Sequence, residues 1–231
     1  MAASPLTSPS ELLARYDGFL LDAYGVLVNA KSALPGAARF LADLNAAGHS
    51  YCVVTNDASR SARTCATRFE SLGLPIPPDR IVTSGMLLAS YVSAQVPRGA
   101  RVCVLGTDDS RAYVRDAGAS LVELSPGVEL DGLAVCDDAG FDFLLGVELA
   151  MSALFRAIDA GRTPHLVLPN PDLIYPKHGD EFGITAGAIA LILEAALHRR
   201  YGERAPRFVR LGKPAPDLLL AGMARLPGRR T

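Results

Sequence analysis

Asp22 stands at the end of an apolar run, Gly18-Phe19-Leu20-Leu21, and is followed at once by a glycine turn at Gly25. A carboxylate delivered there can act as a nucleophile, provided that cationic and hydroxyl groups lie close by. Two distant segments supply them: Val53-Val54-Thr55-Asn56 gives a hydroxyl and an amide, and Leu211-Gly212-Lys213-Pro214 gives an ammonium. Taken singly, Asp22, Thr55 and Asn56 read equally well as turn formers or helix caps, whose side chains bond nearby backbone donors. Together they match an aspartyl phosphoryl-transfer site, with a nucleophile, ligands for phosphoryl oxygens and a cation to offset the charge of both. The backbone amides of the Gly25 loop offer a further place for a dianion.

Strand ends must hold these side chains. Gly18–Leu21 reads as a strand buried on both faces, after a short helix over 11–16 capped by Ser8 or Ser10. Pro35 and Gly36 precede a helix over 37–47 with Ala37, Phe40, Leu41 and Leu44 at helical spacing, Gly48 ends it, and 51–54 is the next buried strand. Strand, helix, strand in so short a span is a right-handed parallel unit, which sets Asp22 and Thr55 side by side at the carboxyl edge of one sheet. Helices over 63–72 and 85–94 flank a strand at 80–82. After Pro97 and Gly99, strands at 102–105, 132–135 and 165–168 alternate with helices over 110–117 and 149–160, up to Asn170-Pro171-Asp172. A helix over 186–197, a strand over 207–211 and a last helix from 215 to about 225 complete the pattern.

The 231 residues, 49% hydrophobic and 20% charged, suffice for one large domain or for a core with a smaller one inserted. Lys and Arg number 23 against 24 Asp and Glu, with no block of either sign, so the chain lacks the charge footprint of a nucleic-acid or anionic-membrane binder. Cys52, Cys65, Cys103 and Cys136 form no Cys-x-x-Cys pair and are expected to be free thiols. The first residues do not read as a leader, and no apolar run approaches the roughly 18 residues of a membrane span. A cytoplasmic protein acting on a small molecule, with no nucleic-acid or membrane partner, is the expectation.

Six segments carry a family resemblance: Asp22-Ala23-Tyr24-Gly25-Val26-Leu27, Leu34-Pro35-Gly36-Ala37-Ala38-Arg39-Phe40-Leu41, Val54-Thr55-Asn56-Asp57-Ala58-Ser59-Arg60-Ser61, Thr83-Ser84-Gly85, Asn170-Pro171-Asp172 and Gly212-Lys213-Pro214-Ala215-Pro216. In this order they resemble the motifs of the haloacid dehalogenase (HAD) superfamily, and more narrowly its class IIA, nitrophenylphosphatase-like branch. The resemblance implies an α/β fold: a Rossmann-like parallel-sheet core at 10–97 and 179–231, with an α/β cap inserted at 98–178. Only the interval from Thr55 to Lys213 is long enough to hold that cap.

The resemblance further implies a Mg²⁺-dependent phosphatase that hydrolyses a small phosphorylated metabolite through an aspartyl-phosphate on Asp22. Thr55 and Asn56 would hold the phosphoryl oxygens, Lys213 would stabilise charge, and Mg²⁺ would sit on the Asp22 carboxylate and the backbone carbonyl of Tyr24. Gly25 and Asp172 are further candidates for substrate contact, with Tyr175 and His178 near the return from the cap. A homodimer through the cap follows by analogy.

Two departures from the family pattern bear on chemistry. Most phosphatases of this family carry a second Asp two residues after the nucleophile, as general acid and base, and this chain has Tyr24 there. A phenol with an ordinary pKa of about 10 is a poor base near neutrality, so turnover is expected to be slow or confined to good leaving groups. Asp57 is the available substitute base, although its type favours a capping role. The fourth motif, an acidic pair that completes the Mg²⁺ site, ordinarily follows the Gly-Lys-Pro helix and is not reached before Thr231. A weak Mg²⁺ site, a core incomplete at its C-terminal side and an exposed edge at the Asp22 strand are expected from that. Two alternatives stand beside the phosphatase: a non-catalytic or truncated protein of the same fold, and a metal-independent L-2-haloacid dehalogenase-like hydrolase. The short first interval, and Val26 where those dehalogenases carry Thr, count against the second.

Overall fold

A computed structural model describes residues 8–177 and 180–226. Helix α1 (Pro9–Arg15) opens on Ser8, whose hydroxyl and backbone amide close a capping box with Glu11. Strand β1 (Gly18–Leu21), helix α2 (Ala37–Ala46), strand β2 (Ser50–Thr55), helix α3 (Ala62–Ser71), strand β3 (Ile81–Thr83) and helix α4 (Ser84–Gln95) form the first unit. Its sheet has the order β1-β2-β3, all parallel, with Leu21 opposite Val53 and Thr55 opposite Thr83.

Burial follows the strand period of two. On β2, Tyr51 and Val53 face Leu41 and Leu44 of α2 and Phe69 of α3, while Cys52 and Val54 face the opposite layer. Each fully buried aliphatic side chain of this kind contributes about 1.5–3 kcal/mol. β1 departs from its reading as a strand buried on both faces: only Leu21 is fully buried. Among the described residues β1 pairs with β2 alone and is the edge of the sheet, so its apolar run has one neighbour instead of two.

The second unit repeats the parallel logic. Strand β4 (Arg101–Leu105), helix α5 (Asp108–Asp116), strand β5 (Ser120–Leu121), strand β6 (Gly132–Val135), helix α6 (Phe143–Asp159) and strand β7 (His165–Leu168) lead to an antiparallel hairpin of β8 (Ile174–Pro176) and β9 (Phe182–Ile184). Helix α7 (Ala186–Tyr201) and strand β10 (Val209–Arg210) follow, and helix α8 (Pro216–Met223) packs back on β2 with Leu218 against Cys52 and Val54. The five-stranded sheet has the order β10-β7-β6-β4-β5. Residues of α6 and α7, among them Leu154, Ile189 and Leu193, cover one face over Leu105, Leu133 and Leu168. Leu88 and Val92 of α4 and Val114 of α5 cover the other over Val102, Val104 and Val167.

This moves the return from the inserted unit. Residues 179–211 were expected in the first unit, but α7 lies in the second core and β10 pairs with β7, Val209 opposite Val167. The chain crosses back at Leu211-Gly212, immediately before Lys213. Helix α6 starts at Phe143 and not at 149, because the Asp142 carboxylate caps the Leu145 amide and so starts the helix before its buried stripe begins. Helix α4 carries apolar residues on two sides, Met86 and Leu87 turned to the first sheet and Leu88 and Val92 to the second, while Ser90, Ser93 and Gln95 are exposed. All four cysteines are free and buried. No helix among the described residues is long and apolar enough to cross a membrane.

Candidate active site

The carboxyl ends of β1, β2, β6 and β7 meet around one cavity of about 370 Å³. Ligands in open α/β sheets bind at such strand ends, where loops diverge and backbone groups are left unpaired. Asp22, one residue beyond β1, reaches the cavity with Oδ1 held by the Ala23 amide at 2.7 Å and by Lys213 Nζ at 2.6 Å. Lys213 Nζ also donates to the Val54 carbonyl at 3.1 Å, which fixes the ammonium between the two strand ends.

Asn56 explains how a lysine so distant in sequence arrives there. Its Oδ1 accepts the Lys213 amide at 2.8 Å and its Nδ2 donates to the Lys213 carbonyl at 3.1 Å, a two-pronged clip on one residue's backbone. The same Nδ2 lies 3.1 Å from Asp172 Oδ2. Only a glycine can precede Lys213: a Cβ at Gly212 would stand 2.5 Å from the Pro169 carbonyl oxygen and 2.6 Å from Asn56 Oδ1. The Asn56 carboxamide is therefore engaged in positioning Lys213, and what Asn56 has left for a phosphoryl oxygen is its backbone amide. Thr55, buried at the end of β2, accepts the Asp57 amide on Oγ1 at 3.3 Å and donates to no acceptor among the described residues, so its hydroxyl proton is available to a ligand.

Gly25 does not face the cavity as expected. Its amide donates to the Val28 carbonyl at 2.9 Å, and the Leu27 and Val28 amides both go to the Ala23 carbonyl. Its φ of 80° lets the loop turn, so its contribution is conformational. Asp57 is equally committed: Oδ1 accepts the Ser59 amide and hydroxyl at 2.8 and 2.7 Å, and Oδ2 pairs with Arg60 at 2.9 Å. Those bonds make it a turn former and leave one acceptor position, on Oδ2, uncommitted. Tyr24 lies edge-on to Tyr175, ring centroids 6.3 Å apart, with the Arg68 guanidinium 5.4 Å over its ring. Burial raises the Tyr24 phenol above its ordinary pKa, so it is a donor and not a base at neutral pH. Asp172 and Tyr175 both line the cavity. His178 lies outside the described residues.

Four charged lining residues were given no role by the sequence reading: Arg60, Arg68, Asp137 and Asp138. Burial, then the neighbouring Asp138 carboxyl, pushes the Asp137 carboxyl well above the usual carboxylate range. The signal was present, since Asp137 follows the predicted strand at 132–135 much as Asp22 follows β1. The loop after β2 is itself tied to the second unit. Asp109 Oδ2 accepts the Ser61 amide at 2.8 Å and the Thr64 hydroxyl at 2.6 Å, and Ser110 Oγ donates to the Ala58 carbonyl at 2.8 Å.

No group of three or more His, Cys, Asp and Glu side chains converges as a metal cage among the described residues. Asp22 Oδ2 has no protein partner there, and the Tyr24 carbonyl follows two residues on. That donor set fits a Mg²⁺ ion shared with phosphate and water, the way this ion is usually held, and not an all-protein cage.

Residues 19–120 match the family described as haloacid dehalogenase-like hydrolase. Dihydroxyacetone phosphatase of Corynebacterium glutamicum is 27% identical over 205 residues, which cover 89% of this chain and 67% of that one. Among solved structures, a possible sugar phosphatase of the HAD superfamily from Cytophaga hutchinsonii superposes with a TM-score of 0.82 at 29% identity, covering 96% of this chain and 76% of its own. Glycerol phosphate phosphatase from Mycobacterium tuberculosis, in complex with magnesium, gives a TM-score of 0.70 at 26% identity, covering 93% and 59%.

Proposed function

From its likeness over residues 19–120 to the haloacid dehalogenase-like hydrolases, we propose that the chain is a class IIA member of that family and a phosphatase of a small phosphorylated metabolite, working through an aspartyl-phosphate on Asp22. The observation that carries this reading is the Asp22–Lys213 pair at 2.6 Å, whose Asp22 lines a cavity of about 370 Å³. Asp22 attacks phosphorus, the bond from phosphorus to the leaving-group oxygen breaks, and water then hydrolyses the acyl phosphate to restore Asp22 and release inorganic phosphate. Lys213 offsets the charge of carboxylate and phosphoryl group, and the Thr55 hydroxyl donates to a phosphoryl oxygen. Mg²⁺, held by Asp22 and the Tyr24 carbonyl with phosphate and water, supplies charge neutralisation when bound. With a protonated phenol at position 24, leaving groups that depart as weak bases are favoured.

The test is hydrolysis of p-nitrophenyl phosphate with Mg²⁺ by the chain and by Asp22→Asn. Phosphate release that disappears in the variant supports the reading. Equal release by both proteins, or halide release from 2-chloropropionate in EDTA, overturns it.

A further inference from the structure

The loop that carries Asp22 is anchored on its inner side by apolar burial: Ala23, Leu27 and Val28 are buried, and the Leu27 and Val28 amides both donate to the Ala23 carbonyl. On its cavity side, where Tyr24 and Ala30 line the space, it is braced by Arg68. Arg68 Nη2 donates to the carbonyl oxygens of Asn29 and Ala30 at 3.0 and 3.2 Å, and the guanidinium carbon lies 5.4 Å from the centre of the Tyr24 ring. The guanidinium forms no ion pair among the described residues, and its hydrogen bonds there all go to this loop. Arg68 stands in the last turn of α3, and Thr64 in the first turn bonds Asp109 of the second unit at 2.6 Å. The helix is thus fixed at one end before it grips the loop at the other. The Tyr24 ring in turn meets Tyr175 of the β8–β9 hairpin edge-on, so Arg68 also fixes the surface against which that hairpin rests.

We propose that Arg68 is a positioning residue for phosphoryl transfer, setting the Asp22 loop through its carbonyl bonds and its contact with the Tyr24 ring. The proposal rests on the phosphatase reading and adds to it a residue that acts on the nucleophile from outside the Asp22–Lys213 pair. Two neighbouring carbonyl oxygens and a ring face are all electron-rich, and a planar guanidinium can bond the first two while lying over the third. A lysine there is a point charge on a mobile stem and lacks that fork. Asp22 is two residues before Tyr24, and Lys213 and the Ala23 amide hold only its Oδ1, so the path of the loop decides how the carboxylate meets phosphorus. Displacement of an attacking group by about 1 Å costs about 10²-fold in rate.

Kinetics of p-nitrophenyl phosphate hydrolysis by the unaltered chain, Arg68→Ala and Arg68→Lys test this, with thermal midpoints measured alongside. Arg68→Ala is expected to lose about 10–10²-fold in kcat, with KM changed by less than about threefold, because the nucleophile is displaced and no substrate contact is removed. Methylguanidinium added to Arg68→Ala should recover kcat better than methylammonium does, since the planar fork and not the charge alone is required. Arg68→Lys, the smaller change, should lose about fivefold or more in kcat and carries the test where Arg68→Ala does not fold. A rise in KM with kcat kept would assign Arg68 to substrate contact and overturn the proposal. Equal recovery by the two cations, or Arg68→Lys as active as the unaltered chain, overturns it too. Absence of p-nitrophenyl phosphate hydrolysis by the unaltered chain would instead sink the phosphatase reading itself.

Discussion

Gly212→Ala is the sharpest probe of how the site is assembled. The added methyl would lie 2.5 Å from the Pro169 carbonyl oxygen and 2.6 Å from Asn56 Oδ1, where ordinary Cβ contacts begin at 3.4 Å. Neither neighbour is a loose side-chain end: one is backbone, and the other is fixed by its bond to the Lys213 amide. Relief therefore requires the 212–213 backbone to move by nearly 1 Å, which breaks the clip between Asn56 and Lys213 and withdraws the ammonium from Asp22. Overpacking costs about 1–3 kcal/mol and each lost hydrogen bond about 1 kcal/mol, so a loss of about 2–4 kcal/mol is expected. At about 2–4 °C per kcal/mol for a chain of this length, the midpoint should fall by about 5–15 °C. Displacement of a charge-stabilising group by about 1 Å should lower kcat/KM about 10²-fold. Thermal unfolding followed by circular dichroism, with p-nitrophenyl phosphate kinetics well below the midpoint, reads both effects. A variant with unchanged midpoint and unchanged kcat/KM would refute the claim that the Asn56 clip positions Lys213.

Removing the charge without moving the backbone should separate chemistry from stability. Lys213→Met is expected to lower kcat/KM by about 10²–10³ with little change in midpoint, since the Asp22 side chain is 44% exposed and can be solvated. Tyr24→Asp places a carboxyl where the phenol stands, and should raise turnover of glycerol 3-phosphate relative to p-nitrophenyl phosphate by about 10–10²-fold; an unchanged ratio counts against proton transfer at this position. The raised pKa of Asp137, which faces Asp138 and Asp57, means that its contribution to stability is present at acid pH and is lost as pH rises through the folded-state value. Asp137→Asn should therefore stabilise the chain relative to the unaltered protein progressively from pH 5 to pH 8 in a thermal-shift titration, and a difference independent of pH would contradict the assignment.

Strand ends were legible in the sequence because apolar runs stop at polar residues there: Asp22, Thr55 and Lys213 are brought together by parallel strands whose order local patterns imply. The use made of each side chain was less legible. Asn56 and Asp57 have the right types for ligand binding and for capping, and only the tertiary arrangement decides, through a backbone segment 157 positions away for Asn56 and through Ser59 and Arg60 for Asp57. The Gly25 amide could not be seen to be spent on Val28 without the loop's path. Strands β5, β8 and β9, of two or three residues each, went unread. The late return at Leu211-Gly212 was hidden, since pairing of β10 with β7 is non-local and leaves no mark on either segment.

Helix α4 gives the two units a common fate. Met86 and Leu87 serve one core, Leu88 and Val92 the other, so no cut between the units leaves both halves with their apolar faces covered. An excised second unit would carry a naked flank, and a first unit trimmed of its insert would expose α4 to water and free the 57–61 loop from Asp109 and Ser110. The inserted unit is thus no detachable module: exchanging it for another cap, as an engineer might wish in order to change substrates, would have to carry α4 and α5 along with it.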